Sequence, residues 1–176
     1  MSERNSGKGA MTMAKTEYDI KPGSHEISIT RMFDAPRDLV FKAFTDPALV
    51  PKWWGPRELV TTVDKMDVRP GGTWRFVQRD SAGNQYGFHG VYHLVDAPNR
   101  VVSTFEFEGV PGHVAMETVT FEDVDGKTRL VQHSVFQSVA DRDGMVQSGM
   151  EKGATESMDR MAELLAELSK HNKQAG

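Results

Sequence analysis

Cysteine is absent from the 176-residue chain, which excludes disulfides, thiolate-held zinc, iron–sulfur clusters and a thiol nucleophile. An excess of positive charge is missing too. Lys and Arg number 21 against 25 Asp and Glu, a formal net charge of −4, so the balance does not favour a phosphate backbone and no nucleic-acid partner is expected. Uninterrupted apolar runs are only a few residues long, far short of the ~20 that cross a bilayer. The N-terminal stretch lacks the apolar segment of a secretory signal. No membrane insertion and a cytoplasmic location are therefore expected. Gly71-Gly72 is not followed by the Lys-Ser/Thr of a phosphate-binding loop. What is present is material for a core: 38% of residues are apolar and 26% are charged.

Residues 1–24 are rich in Gly, Ser, Lys and Thr without apolar period, which predicts a flexible, dispensable tail ahead of one domain over 25–172. Residues 25–33 alternate Ile27 and Ile29 with polar neighbours and read as a strand. Asp34-Ala35-Pro36 then opens a short helix carrying Leu39, Val40, Ala43 and Phe44, and Asp46-Pro47 opens a second that stops at Gly55-Pro56. From 58 to 137 the period is two. Strands are expected over 59–68, 73–78, 86–95, 100–108, 114–122 and 128–136, the last two joined at Asp125-Gly126.

Ser138 and Asp141 then suggest a helix cap, and Gly144 a break before a long helix. Met150, Ala154, Ser157, Met158, Met161, Leu164, Leu165 and Leu168 form a stripe at spacings of three and four, with Gly149 and Gly153 smoothing one face and Glu156–Arg160 a favourable pair. This order predicts an α+β fold: a curved antiparallel sheet of six to seven strands wrapped around one long C-terminal helix, with two short helices after the first strand. A sheet curled about a single helix leaves volume between them, where a ligand would lie.

Trp74, Phe76, Tyr86, Phe88, Tyr92, Phe105 and Phe107 recur at alternate positions of three consecutive strands, as pocket lining or as core. Gln78 shares their parity and, once buried, needs a partner. Trp53 and Trp54 precede a stop, where one anchors the short helix and the other can edge a pocket. Glu106 and Glu108 take the opposite parity and fit a solvated face, as do Arg75 and Arg79. His89 and His93 lie roughly 13 Å apart along a strand, too far to share a metal, so no metal site and no cofactor are expected. Tyr86, Tyr92, His133 and Gln78 are the candidate acid–base groups of a catalyst.

Several ordered motifs carry a resemblance. They are Ala35-Pro36 through Phe44-Thr45-Asp46-Pro47, Lys52-Trp53-Trp54-Gly55, Asp67-Val68-Arg69-Pro70-Gly71-Gly72-Thr73-Trp74, Gly90-Val91-Tyr92-His93-Leu94-Val95, and Gly149-Met150-Glu151-Lys152-Gly153 running on through Glu156 to Leu165. Over about residues 25–170 the chain resembles the START-like (SRPBCC) superfamily of helix-grip fold, and within it the family named for the activator of the heat-shock protein 90 ATPase. The resemblance implies a small hydrophobic or aromatic ligand held between sheet and C-terminal helix. Its lining is expected from Trp54, Trp74, Phe76, Gln78, Tyr86, Phe88, Tyr92, Phe105, Phe107, Met150, Gly153, Ala154, Ser157 and Met158. Relatives often carry Trp where this chain has Ala154, which implies a roomier pocket here. Two other roles resemble those of relatives: a co-chaperone-like partner of a heat-shock chaperone, or a cyclase-like enzyme on a polyketide-type substrate. The two-domain activators carry a further N-terminal domain, whereas about 24 residues precede the first expected strand here.

Overall fold

A computed structural model describes residues 14–176. Eight antiparallel strands run in the order β1-β2-β8-β7-β6-β5-β4-β3. They are β1 (Glu17–Asp19), β2 (Glu26–Phe33), β3 (Val60–Met66), β4 (Thr73–Arg79), β5 (Gln85–Asp96), β6 (Arg100–Phe107), β7 (Val114–Val124) and β8 (Lys127–Val135). Helix α1 (Arg37–Thr45) and a 3-10 turn (Val50–Lys52) carry the chain from β2 to the far edge at β3. The meander then returns strand by strand until β8 pairs with β2. Helices α2 (Val139–Gln147) and α3 (Met150–Gln174) follow. This is the expected helix-grip arrangement with one strand more than expected.

The additional strand lies inside the stretch read as a tail. Tyr18 pairs with Ile29, and its hydroxyl donates to the Glu151 carbonyl at 2.8 Å and meets Thr155 Oγ1 at 2.7 Å. The domain therefore begins by residue 17 rather than 25. Residues 1–13 of the expected tail lie outside the described residues.

Local chemistry accounts for the joints. Asp125 and Gly126 both take positive φ, 53° and 82°, the pair that a tight β7–β8 hairpin requires. The Ser138 hydroxyl accepts the Asp141 N–H at 3.1 Å and caps α2. The break between the last two helices is at Gly149, with φ 85°, and not at Gly144, which lies within α2. Only a residue without Cβ enters that left-handed conformation freely. The expected Glu156–Arg160 pair also gives way. Glu156 accepts the Arg57 N–H at 2.8 Å and pairs with Lys152, while Arg160 donates to the Gly55 carbonyl at 2.8 Å. Both residues thus tie α3 to the loop after the 3-10 turn.

The core sits on the concave face. Ile27, Phe33, Val119, Phe121 and Leu130 from β2, β7 and β8 are buried, as are Val40, Phe41 and Ala43 of α1, which packs on β7 and β8. Met161, Leu164 and Leu165 of α3 close the same end. Phe121 receives the ring edges of Phe41 and Phe44 at 5.2 and 5.5 Å. Trp53 stacks on Phe44 and donates its indole N–H to the Ala43 carbonyl at 2.8 Å, so it is the anchoring member of the tryptophan pair.

Candidate functional site

Where α1 ends its cover, the concave face is not filled. A cavity of about 390 Å³ lies between β4–β8 and the first two turns of α3, within the size range of small-molecule sites. Twelve of the fourteen residues expected at the site line it: Trp54, Trp74, Phe76, Gln78, Phe88 and Tyr92, then Phe105, Met150, Gly153, Ala154, Ser157 and Met158. Tyr86 and Phe107 line instead a second hollow of about 580 Å³ nearer the surface. The two spaces share Gln78, Phe88, Phe105, Phe136, Met145 and Ser148 as walls.

Strand alternation builds the aromatic wall. Phe76 faces Phe88 and Trp74 faces Gly90 across β4–β5. A Cβ at Gly90 would collide with the Thr104 carbonyl and the Trp74 indole, so glycine there lets the indole lie over the strand and donate to Thr104 at 3.2 Å. Trp54 sets its ring edge-on to Phe76 and Phe88, with centroids 5.2 and 5.1 Å away. On the helix side the wall is low. A Cβ at Gly149 or Gly153 would meet nothing within 4 Å, and Ala154 follows directly.

Polar groups are few and stand in one row. Tyr92, Ser103, Glu117 and Ser134 are successive cross-strand partners on β5, β6, β7 and β8. Glu117 Oε1 accepts from Gln132 Nε2 at 3.2 Å and Ser134 Oγ at 3.4 Å, while Oε2 has no hydrogen-bond partner among the described residues. Glu117 is half-buried and lines the cavity, and desolvation pushes its carboxyl up to about 7 against two opposing hydrogen bonds. Burial likewise raises the Tyr92 phenol well above its ordinary range. Gln78 is 4% exposed, and among the described residues its side-chain amide has no hydrogen-bond partner. A buried amide facing a cavity without a partner is a group that a ligand would satisfy.

Glu117, Ser103, Gln132 and Ser134 escape the residue-type reading, which weighed carboxylates only at Glu106 and Glu108. The available signal was parity: Ala115, Glu117, Val119 and Phe121 alternate along β7, so an acid occupies a core position. Glu106 and Glu108 lie on the outer face. His89 bridges the two, and Arg75 grips Glu108 at 2.7 and 2.9 Å, which holds its carboxyl down at about 2.

Three expected roles change in place. Ser157 lines the cavity, but its hydroxyl is committed, accepting the Gly55 N–H and donating to the Gly153 carbonyl, both at 2.9 Å. It fastens Trp54-Gly55 to α3. His133 is on the outer face against Glu26 at 3.3 Å, because it alternates with the inward Gln132 and Ser134. The Tyr86 hydroxyl donates outward to Asp80 at 3.2 Å. Of the candidate acid–base groups, only Gln78 and Tyr92 reach the main cavity.

Comparison with known proteins agrees with this architecture. A solution structure of a protein from Arthrobacter aurescens superposes with a TM-score of 0.80 at 25% identity, covering 86% of this chain and 91% of its own. Crystal structures of proteins from Rhodobacter sphaeroides and Mycobacterium smegmatis superpose with TM-scores of 0.80 and 0.78, each at 25% identity over 86% of this chain and 98% and 96% of theirs. A relative from Schizosaccharomyces pombe, described as uncharacterized protein C1711.08, is 26% identical over 136 residues. The match covers 73% of this chain but only 37% of the yeast protein. The model of the Activator of Hsp90 ATPase homolog 1-like proteins matches residues 34–166, from the start of α1 to the buried leucines of α3, and the chain belongs to that family.

Proposed function

We propose that the protein binds a small hydrophobic or aromatic molecule in the cavity between the sheet and α3. The observation that carries this reading is Gln78: a side-chain amide 4% exposed and without a hydrogen-bond partner among the described residues, lining an aromatic-walled space of about 390 Å³. Leaving an amide unpaired there costs ~1–3 kcal/mol, which a polar group on a ligand would recover. The family description names an activator of a chaperone ATPase, a role that an outer surface could serve, but the features needing an occupant are inside.

The test uses the apolar fluorophore N-phenyl-1-naphthylamine on the wild type and on Ala154→Trp. The new indole would fill the cavity beside Gly153. The wild type is expected to enhance the fluorescence saturably. The variant is expected to lose that binding while its denaturation midpoint stays within about 1 kcal/mol of wild type, because filling a void avoids the ~1–3 kcal/mol cost of overpacking. A wild type that shows no saturable binding overturns the reading. A variant that binds unchanged moves the ligand elsewhere.

A further inference from the structure

The cavity has one ionisable carboxyl and no counter-charge. Among the described residues Glu117 is its only acidic or basic lining residue, and no Lys, Arg or His of them lines it. The buried Arg31 is engaged by Asp159 at 2.8 Å and lies outside the lining. Facing Glu117 across the sheet are Ser103, Ser134 and Gln132, with the Tyr92 phenol further along the row. From α3 the cavity receives Met150, Gly153 and Ala154, and from α2 it receives Met145. His113 and Asp141, 2.8 Å apart, lie on the wall of the outer hollow.

Glu117 Oε1 already takes two hydrogen bonds and Oε2 takes none. Above about 7, where the carboxyl is ionised, it accepts and cannot donate, so whatever completes it there must carry a donor. A hydrocarbon would leave Oε2 bare in an apolar space, and an anionic ligand would place like charges together with no cation between them. Tyr92 in the same row, Phe105 two residues from Ser103, and Trp74 behind them offer ring faces of negative potential.

Building on the ligand-binding reading above, we infer that the ligand carries a basic nitrogen: an apolar or aromatic amine whose ammonium group sits on Glu117 while its body fills the aromatic wall. The ammonium supplies the missing donor and the missing charge together, and its attraction to the carboxylate is strengthened by the low local dielectric. Gln78 and Tyr92 remain to contact further polar groups on the ligand. Selectivity follows from charge, with amines taken, isosteric alcohols held weakly and carboxylic acids refused.

Three matched probes decide the matter: 1-naphthylmethylamine, 1-naphthylmethanol and 1-naphthoic acid, titrated by calorimetry into the full chain. At pH 8 the amine is expected to bind at least about tenfold tighter than the alcohol, with the acid weakest. Below about 7, where the carboxyl takes up a proton, amine affinity is expected to fall by roughly tenfold per pH unit, since binding then requires losing that proton. In Glu117→Gln the amine-to-alcohol ratio should collapse to about one and lose its pH dependence; Glu117→Asp should keep the preference in reduced form. If the alcohol or the acid binds the wild type as well as the amine does, the inference fails while the cavity reading survives. If the amine preference persists in Glu117→Gln, another acid such as Asp141 provides it and the inference fails. If no probe binds at all, the cavity reading fails and takes the inference with it.

Discussion

The two halves of α3 lie over one sheet and differ in what they bring to it. From Met158 onward the helix inserts Met161, Leu164 and Leu165, each at most 5% exposed, into a face already covered by α1. Before Met158 it presents Gly149, Gly153, Ala154 and a committed Ser157 to strands that carry Trp74, Phe76, Phe88 and Phe105. The large residues there sit on the sheet and lean on one another: Phe88 meets Phe105 at 5.7 Å and Phe107 at 5.1 Å. Bulk stacked within one layer cannot also cross to the opposite layer. A core closes where both layers contribute large side chains throughout; a pocket remains where one, Met150 apart, contributes mostly small ones.

The largest effect is expected at the closed end. Phe121→Ala removes a ring that is 1% exposed and held by two aromatic edges, and should cost ~3–5 kcal/mol in urea unfolding. Phe105→Ala, whose ring already borders empty space, should cost roughly half as much because fewer contacts are lost. Equal costs at both positions would erase the distinction between the two ends.

Glu117 supplies the next contrast, through pH. Its carboxyl sits near 7 in the folded chain against an ordinary value of 4.5. Between those values the folded state holds a proton that the unfolded chain has released. Stability should therefore fall as pH rises from 4.5 to 7 and stay level, with respect to this group, above it. Glu117→Gln keeps the shape and removes the titration. It should be more stable than wild type by up to about 3 kcal/mol at pH 8 and should converge with it below pH 4.5, read from denaturant midpoints across the range. Parallel curves for the two proteins would mean that Glu117 is solvated.

The smallest effect is expected at Tyr18. Tyr18→Phe deletes a hydroxyl that holds Glu151 and Thr155, two positions in the turns of α3 over the cavity, and should cost ~1 kcal/mol. Hydrogen exchange should quicken at residues 150–157 and remain unchanged at 161–168. A uniform change along the helix would mean that its two halves open together.

Much of this architecture was legible because alternation and helical stripes are long-range repeats. The meander from residue 59 to 136 and the stripe from Met150 to Leu168 each repeat often enough to declare a face. Strand β1 did not declare itself, since three residues with one aromatic cannot show a period. Gly144 and Gly149 are indistinguishable by type; the backbone angle that separates them depends on where α3 docks. Ten of the lining residues follow from strand parity and the stripe, Trp54 from the Gly-Pro stop and Gly153 from the smooth helix face. Glu117 was hidden by its residue type, because an acid on a half-exposed strand reads as surface until its neighbours Val119 and Phe121 show which face is inside. The commitment of Ser157 depends on Gly55, 102 residues away, and no local pattern encodes it.

The left-handed joint at Gly149 has a kinetic consequence. Met145 and Ser148 of the α2 side wall both hollows, and Gly149 itself borders the inner one. α2 is tied to β8 through Gln137-Ser138 and to α3 through Gly149, so it can leave the hollows only by turning at both joints together, with the strand ladder and the leucines beyond Met158 staying in register. On the proposed ligand-binding reading, exchange through such a local opening would not require the domain to melt. Residence time and thermal resilience thus become separately adjustable properties of the same chain.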